Sequence, residues 1–171
     1  MILKSLKTID LTDENIKEIC KLKNTHWKFG IKSQLEFFYN FYKPFDLHIC
    51  LSIKNKIIGY NCLRKRKLLI SKERIPFLLF DTLVISKKYR GKKLGNLIMT
   101  FNNNTILNQN LMAILLCNKN LLNFYSSLGW TRLKKEKYNF LNVNKLKELM
   151  IYNDIGLSIK KNKNNKIELI Y

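Results

Sequence analysis

A chain of 171 residues with 46% apolar and 12% aromatic side chains has enough material for one buried core, and no Pro/Gly/Ser-rich linker or internal repeat divides it. With 32 Lys and Arg against 12 Asp and Glu the formal charge is +20, but the lysines are spread from Lys4 to Lys166 among Asn and Ile and form no single nucleic-acid footprint. No window approaches the ~18 uninterrupted apolar residues of a membrane helix, and Met1 to Asp10 lacks the apolar stretch of a targeting signal, so a cytoplasmic protein without membrane contact is expected.

In chain order, Met1 to Ile9 reads as a first strand. Thr12 and Asn15 form a capping box for a helix that carries Ile16, Ile19, Cys20 and Leu22 on one face. A second helix covers Gln34 to Tyr42, with the stripe Leu35, Phe38, Tyr39 and Tyr42 as core or cleft wall, and Pro44 ends it. Leu47 to Ile53 and Lys56 to Arg64 form an antiparallel pair turning at Lys54-Asn55, and a further strand covers Lys67 to Ile70. The central strand is Phe77 to Ile85. A basic glycine turn, Tyr89-Arg90-Gly91-Lys92-Lys93-Leu94-Gly95, opens a helix through Leu97, Ile98 and Phe101. The chain returns through the apolar run Leu111 to Cys117 and reaches Asn118, Tyr125 and Leu128-Gly129-Trp130. Beyond Thr131 two strands are expected, Lys166 to Tyr171 the clearer, after a hairpin loop from Lys160 to Lys166.

Cys20, Cys50, Cys62 and Cys117 are far apart in mostly apolar segments, which reads as reduced, buried thiols. There is no C-x-x-C pair, and the two histidines, His26 and His48, are isolated, so no metal is expected. A glycine-bearing turn at the start of a helix aims several backbone N–H groups at one point and binds phosphate. A solvated helix start with two glycines is the plainer alternative.

The order of motifs resembles the GNAT superfamily of acetyl-CoA-dependent N-acetyltransferases. Its coenzyme loop, R/Q-x-x-G-x-G/A, is matched by Arg90, Leu94 and Gly95, with Lys93 in place of the middle glycine. Its second signature, N-x-x-A-x-x-x-Y-x-x-x-G-F/W, is matched by Asn118, Tyr125, Gly129 and Trp130, with Leu121 in place of the small residue. Within the superfamily the chain looks most like the aminoglycoside 2'-N-acetyltransferase-like group, on Asp46-x-His48, Gly59, Arg66, Arg74-x-Pro76 and Arg90-Gly91.

The resemblance implies an α/β fold in one domain over 1–171, a mixed, mostly antiparallel sheet flanked by helices with splayed central strands. It implies acetyl-CoA as cosubstrate and a primary amine as acceptor, on a small molecule such as an aminoglycoside or on a peptide, in a monomer or homodimer. Arg90, Gly91, Lys92, Lys93, Leu94 and Gly95 would hold the pyrophosphate, with Leu83, Val84, Ile85, Asn118 and Phe124 also on the coenzyme. Asp81, the only acid in the central strand, is the catalytic base this likeness points to, with Leu79, Phe80 and Leu83 desolvating it; an ordinary strand aspartate is the alternative. Tyr125 is the general acid for the leaving thiolate, or else a packing aromatic beside Phe124; Asn118 either tethers the coenzyme or caps the helix that follows. A basic nucleic-acid-binding module, an inactive GNAT-like binding protein and an acyltransferase that uses a longer acyl donor are the rival readings.

Overall fold

The computed structural model describes residues 1–70, 72–133, 139–140, 144, 146–155 and 166–170. It forms two units, Met1–Arg64 with Asp81–Asn102, and Lys65–Phe80 with Asn103–Tyr171, so each is assembled from separated stretches of sequence.

In the first unit β1 (Ile2–Lys7) pairs antiparallel with β2 (Leu47–Ile53), and β2 with β3 (Lys56–Ile70). The β2–β3 turn takes φ of 47° at Lys54 and 61° at Asn55, the two positive values of a type I′ hairpin. β1 stops two residues early because Thr8 turns into a 3-10 helix, Thr8–Asp10, and its hydroxyl donates to the Lys43 carbonyl at 2.7 Å.

Helix α1 (Asp13–Asn24) has the expected capping box: Thr12 Oγ1 accepts from Asn15 N–H at 3.2 Å, and Asn15 Oδ1 accepts from Thr12 N–H at 3.3 Å. Ile16, Ile19, Cys20 and Leu22 are buried, and they pack with Phe38 and Tyr42 of the α2 (Ile31–Phe41) segment against Cys50, Tyr60 and Cys62. Tyr39, expected on that stripe, is exposed. On the other face of β3, Gly59 gives room to helix α3 (Leu94–Asn108): a Cβ there would lie 2.6 Å from Ile98 Cδ1 and 2.9 Å from Ile85 Cδ1. Asn61 Nδ2 donates to Asn102 Oδ1 on the same side.

Two strands are longer than expected. Lys56 to Arg64 and Lys67 to Ile70 are one strand, β3, because Arg64 and Arg66 are buried and the intervening charges do not break it. The central strand β4 runs Glu73–Ile85, so Pro76 lies inside it; Pro76 precedes the ladder with β5, where a missing N–H is tolerated.

In the second unit β4 pairs parallel with β5 (Ala113–Cys117) at Leu78–Phe80 against Ala113–Leu115. A 3-10 turn, Lys119–Leu121, and the short helix α4 (Leu122–Ser126) follow β5. After them come β6 (Thr131–Leu133), β7 (Asn139–Phe140), β8 (Glu148–Tyr152) and β9 (Lys166–Ile170), four strands among the described residues where two were expected. β8 pairs antiparallel with β5 and β6, β9 antiparallel with β3, and β7 parallel with β9. The core here is Phe77 and Leu79 of β4 with Ile114, Leu149, Ile151 and Leu169. The hairpin loop expected before Lys166 and the last residue of the expected strand, Tyr171, lie outside the described residues.

Candidate active site

The basic turn is built from the end of β4 outward. After Ile85 the chain makes a 3-10 turn, Lys87–Tyr89, anchored where Ser86 N–H donates to the Ile58 carbonyl at 2.8 Å. Arg90 folds back, Nε donating to the Ile85 carbonyl at 3.0 Å, while Gly91 takes φ +75° and Lys93 φ +54°. Glycine would take the left-handed backbone at this position freely; Lys93 adopts it at the steric cost of a Cβ. α3 starts at the next residue, so the N–H groups of Leu94, Gly95 and Asn96 have no intrahelical acceptor. They border a pocket of about 310 Å³ that Ile85, Tyr89, Arg90 and Gly91 also line. Lys92 reaches back over the Tyr89 ring, 5.9 Å from its centroid. Free N–H groups, a helix N-terminus and surrounding cations make a place for an anion. Val84 is buried among the α1–α2 core residues, so whatever it contributes to a ligand comes from its backbone; Leu83 is half-buried.

Asp81 is in the same unit and its side chain is 25% exposed. Its surroundings are polar, where apolar neighbours were expected: Oδ2 lies 3.5 Å from both Tyr42 Oη and Arg64 Nη1, and Thr82 Oγ1 donates to Oδ1 at 3.1 Å. Tyr42 Oη also accepts from Lys23 Nζ at 3.0 Å. Burial pushes the Lys23 ammonium below its usual pKa, against the attraction of Asp81. Burial raises the Tyr42 phenol well above its usual value, and Asp81 adds to the rise. Thr82 itself has φ 63°, a left-handed conformation that a β-branched residue rarely adopts. Its effect on β4 is a change of phase. Asp81 meets Tyr42 and Arg64, yet Ile85, four residues on, approaches Gly59 and Ile98 on the α3 side.

Sequence reasoning missed Lys23, Arg64 and Tyr42 as partners of Asp81. One signal was present: Lys23 follows Ile16, Ile19 and Cys20 at the i+7 position of the apolar face, where a charged residue needs a reason.

Tyr125 belongs to the second unit, where it is buried in an aromatic group. Its ring is 5.9 Å from Phe80, 5.0 Å from the half-buried Phe124 and 6.4 Å from Trp130, all in edge contacts. Trp130 N–H donates to the Tyr125 carbonyl at 3.2 Å, and the indole Nε1 to Asn103 Oδ1 at 3.1 Å. Burial raises the phenol's pKa above the ordinary tyrosine value, with the Cys117 thiol adding to it. Asn118 occupies the cap position of the 3-10 turn but makes no capping bond with its side chain; its Oδ1 accepts from Lys147 Nζ at 2.7 Å.

His48 is fully buried, its ring nitrogens 2.9 Å from Thr8 Oγ1 and 2.8 Å from Tyr60 Oη, and burial lowers its pKa to about 4. It is a neutral core residue. The four cysteines are free and buried, as expected. Among the described residues no helix is long and apolar enough to cross a membrane, and no three His, Cys, Asp or Glu side chains are grouped to hold a metal.

No protein-family model matches the chain, and no curated protein matches it in sequence. Solved structures do match. Escherichia coli YhbS, described as a GNAT family N-acetyltransferase in complex with CoA, is 13% identical at a TM-score of 0.68, with 98% of this chain and 91% of that one covered. An aminoglycoside 6'-N-acetyltransferase complexed with coenzyme A is 11% identical at 0.67, covering 89% and 96%. Escherichia coli ElaA is 15% identical at 0.65, covering 88% and 97%. At such identities the likeness is one of fold: the chain has the mixed α/β, mostly antiparallel fold of these GNAT structures.

Proposed function

We propose that the chain is an N-acetyltransferase that moves an acetyl group from acetyl-CoA to a primary amine. The observation that carries this reading is the anion pocket at the start of α3, made from the Arg90–Gly95 turn that the sequence matches to a coenzyme loop. In this reading the N–H groups of Leu94, Gly95 and Asn96 meet the pyrophosphate and Arg90, Lys92 and Lys93 supply charge around it. Two of the structures with this fold carry coenzyme A, which adds support.

The reaction forms a bond from the amine nitrogen to the acetyl carbon and breaks the carbon–sulfur bond. The ammonium must first lose a proton, at a cost of roughly 4 to 5 kcal/mol at pH 7 for a lysine-like amine. Asp81, a quarter exposed at the edge of its polar cluster, is the residue we assign to take that proton. The electrons of the broken bond leave on the coenzyme sulfur. Tyr125 is assigned to meet it: a phenol held above its usual pKa stays protonated and offers a hydrogen bond to the thiolate, but full proton transfer to a thiol of ordinary pKa is uphill.

Two of the points of likeness to the aminoglycoside 2' group, His48 and Gly59, serve packing in this chain, since His48 is a core residue and Gly59 makes room for α3. The reading is tested by melting and turnover together. Saturating acetyl-CoA raises the melting temperature, as any ligand selective for the native state does, and coenzyme A is released when an amine panel is added. A chain whose melting is indifferent to acetyl-CoA but rises with DNA is a nucleic-acid-binding protein.

A further inference from the structure

The Asp81 cluster buries more positive charge than it balances. Arg64 and Lys23 are 7% and 4% exposed. Asp81 is the carboxylate that Arg64 meets, at 3.5 Å, whereas a committed guanidinium–carboxylate contact closes to about 2.7–2.9 Å. Arg64 gives one more donor to the Phe41 carbonyl at 3.3 Å, and its buried Nε has no hydrogen-bond partner among the described residues. Lys23 donates to the neutral Tyr42 hydroxyl and otherwise sits over aromatic faces, 4.6 Å from the Phe37 centroid and 5.1 Å from that of Tyr42. A guanidinium withdrawn from water is costly until its donors are met, and what meets them best is a second carboxylate.

We propose that the amine acceptor is a free amino acid, its carboxylate taken by Arg64 and its amine by Asp81. The inference rests on the acetyltransferase reading above and names the substrate class of that site. An α-amino acid carries unlike charges one carbon apart, and Arg64 and Asp81 present unlike charges 3.5 Å apart in the opposite sense. Asp81, the more exposed of the two, is where the amine arrives and loses its proton; the carboxylate goes to the deeper Arg64, with Lys23, bonded to Tyr42 of the same cluster, adding positive potential. An aminoglycoside or a polyamine brings only positive charge toward two buried cations, which adds repulsion and leaves the Arg64 donors unmet. A protein N-terminus has its carboxylate far from its amine and gains nothing from Arg64.

The test compares matched acceptors in a coenzyme A release assay: each free amino acid beside its carboxamide, with a polyamine and an aminoglycoside as carboxylate-free amines. The expected result is a kcat/KM at least about tenfold higher for some free amino acids than for their amides, the size of a lost charge-assisted contact. Arg64→Met removes that preference while acetyl-CoA still raises the variant's melting temperature, which shows that it is folded, and Arg64→Lys recovers part of it. A second measurement needs no variant: N-acetyl amino acids, the products, bind the wild type at least about tenfold tighter than N-acetyl amino acid amides in calorimetry. Equal turnover of acid and amide, preference for the polyamine or the aminoglycoside, or a preference that survives Arg64→Met in a folded variant overturns the proposal, as does equal binding of the two products. Failure of the acetyltransferase reading looks different, because there acetyl-CoA itself leaves melting unchanged; product binding then decides the carboxylate site alone.

Discussion

The role proposed for Asp81 is to take a proton, which asparagine cannot do, although it keeps the size of the side chain and an oxygen that can still accept from Tyr42, Arg64 or Thr82. Asp81→Asn is expected to lose most turnover at neutral pH and to recover as pH rises, since the variant depends on amine already neutral in solution, a fraction that grows about tenfold per pH unit below the amine's pKa. pH–rate profiles of both proteins check this; parallel profiles mean that Asp81 orients the acceptor instead. Tyr125→Phe keeps the ring and its edge contacts with Phe80 and Trp130. It should lower turnover about 10- to 1000-fold with little change in acetyl-CoA affinity. Single-turnover kinetics with a calorimetric affinity separate the two effects, and unchanged turnover makes Tyr125 a packing residue. Asp81 was legible as the single acid of the apolar strand expected over Phe77 to Ile85. Its partners were not, because Tyr42 and Arg64 lie 39 and 17 positions away along the chain.

From within β4 to the start of α3 the backbone is left-handed at Thr82, Gly91 and Lys93, within a dozen residues. A non-glycine residue in that conformation costs roughly 1–2 kcal/mol, and glycine returns about 0.5–1 kcal/mol of that as chain entropy. Lys93→Gly is therefore expected to leave the protein as stable or to raise its melting point by a few degrees, and to leave acetyl-CoA stabilisation intact, because the turn geometry is the one glycine prefers. Gly91→Ala should do the opposite, by about 1–2 kcal/mol, even though its added Cβ meets no atom within 4 Å; the penalty is purely in φ. Thermal melts of the two variants side by side check the pair. A destabilised Lys93→Gly would show that the lysine side chain contributes more than its backbone strain costs. The glycine turn and the helix it opens were legible in the sequence; the left-handed backbone at Lys93 was not, because a lysine does not announce it.

At the scale of the molecule, the +20 chain carries a neutral histidine in its core, and that has a pH signature. The unfolded His48 titrates near 6.5 and the folded one near 4, so below pH 6.5 the unfolded state binds the extra proton. Stability is fully present above pH 6.5 and falls as pH drops toward 4, by up to about 3 kcal/mol from this residue. Denaturant unfolding of the wild type and of His48→Phe between pH 7 and 4 checks it. The variant is less stable at pH 7, having lost bonds to Thr8 and Tyr60, but its stability should fall less with acid. Equal pH slopes would mean that carboxylates and general charge repulsion dominate acid unfolding.

What the sequence determined by itself was everything set within a few neighbouring residues: the Thr12–Asn15 capping box, the Lys54-Asn55 turn, the apolar face of α1 and the glycine turn before α3. These depend on side chains and φ preferences that act across one turn of chain. Tertiary structure decided what depends on distant partners. It carried β3 through Arg64 and Arg66 as one strand with a ladder to β9, where a charged run reads locally as a break. It shifted the phase of β4 at Thr82, and it gathered Lys23, Tyr42 and Arg64 around Asp81. A buried charge is tolerated only where several elements meet to solvate it, and no local window contains that meeting.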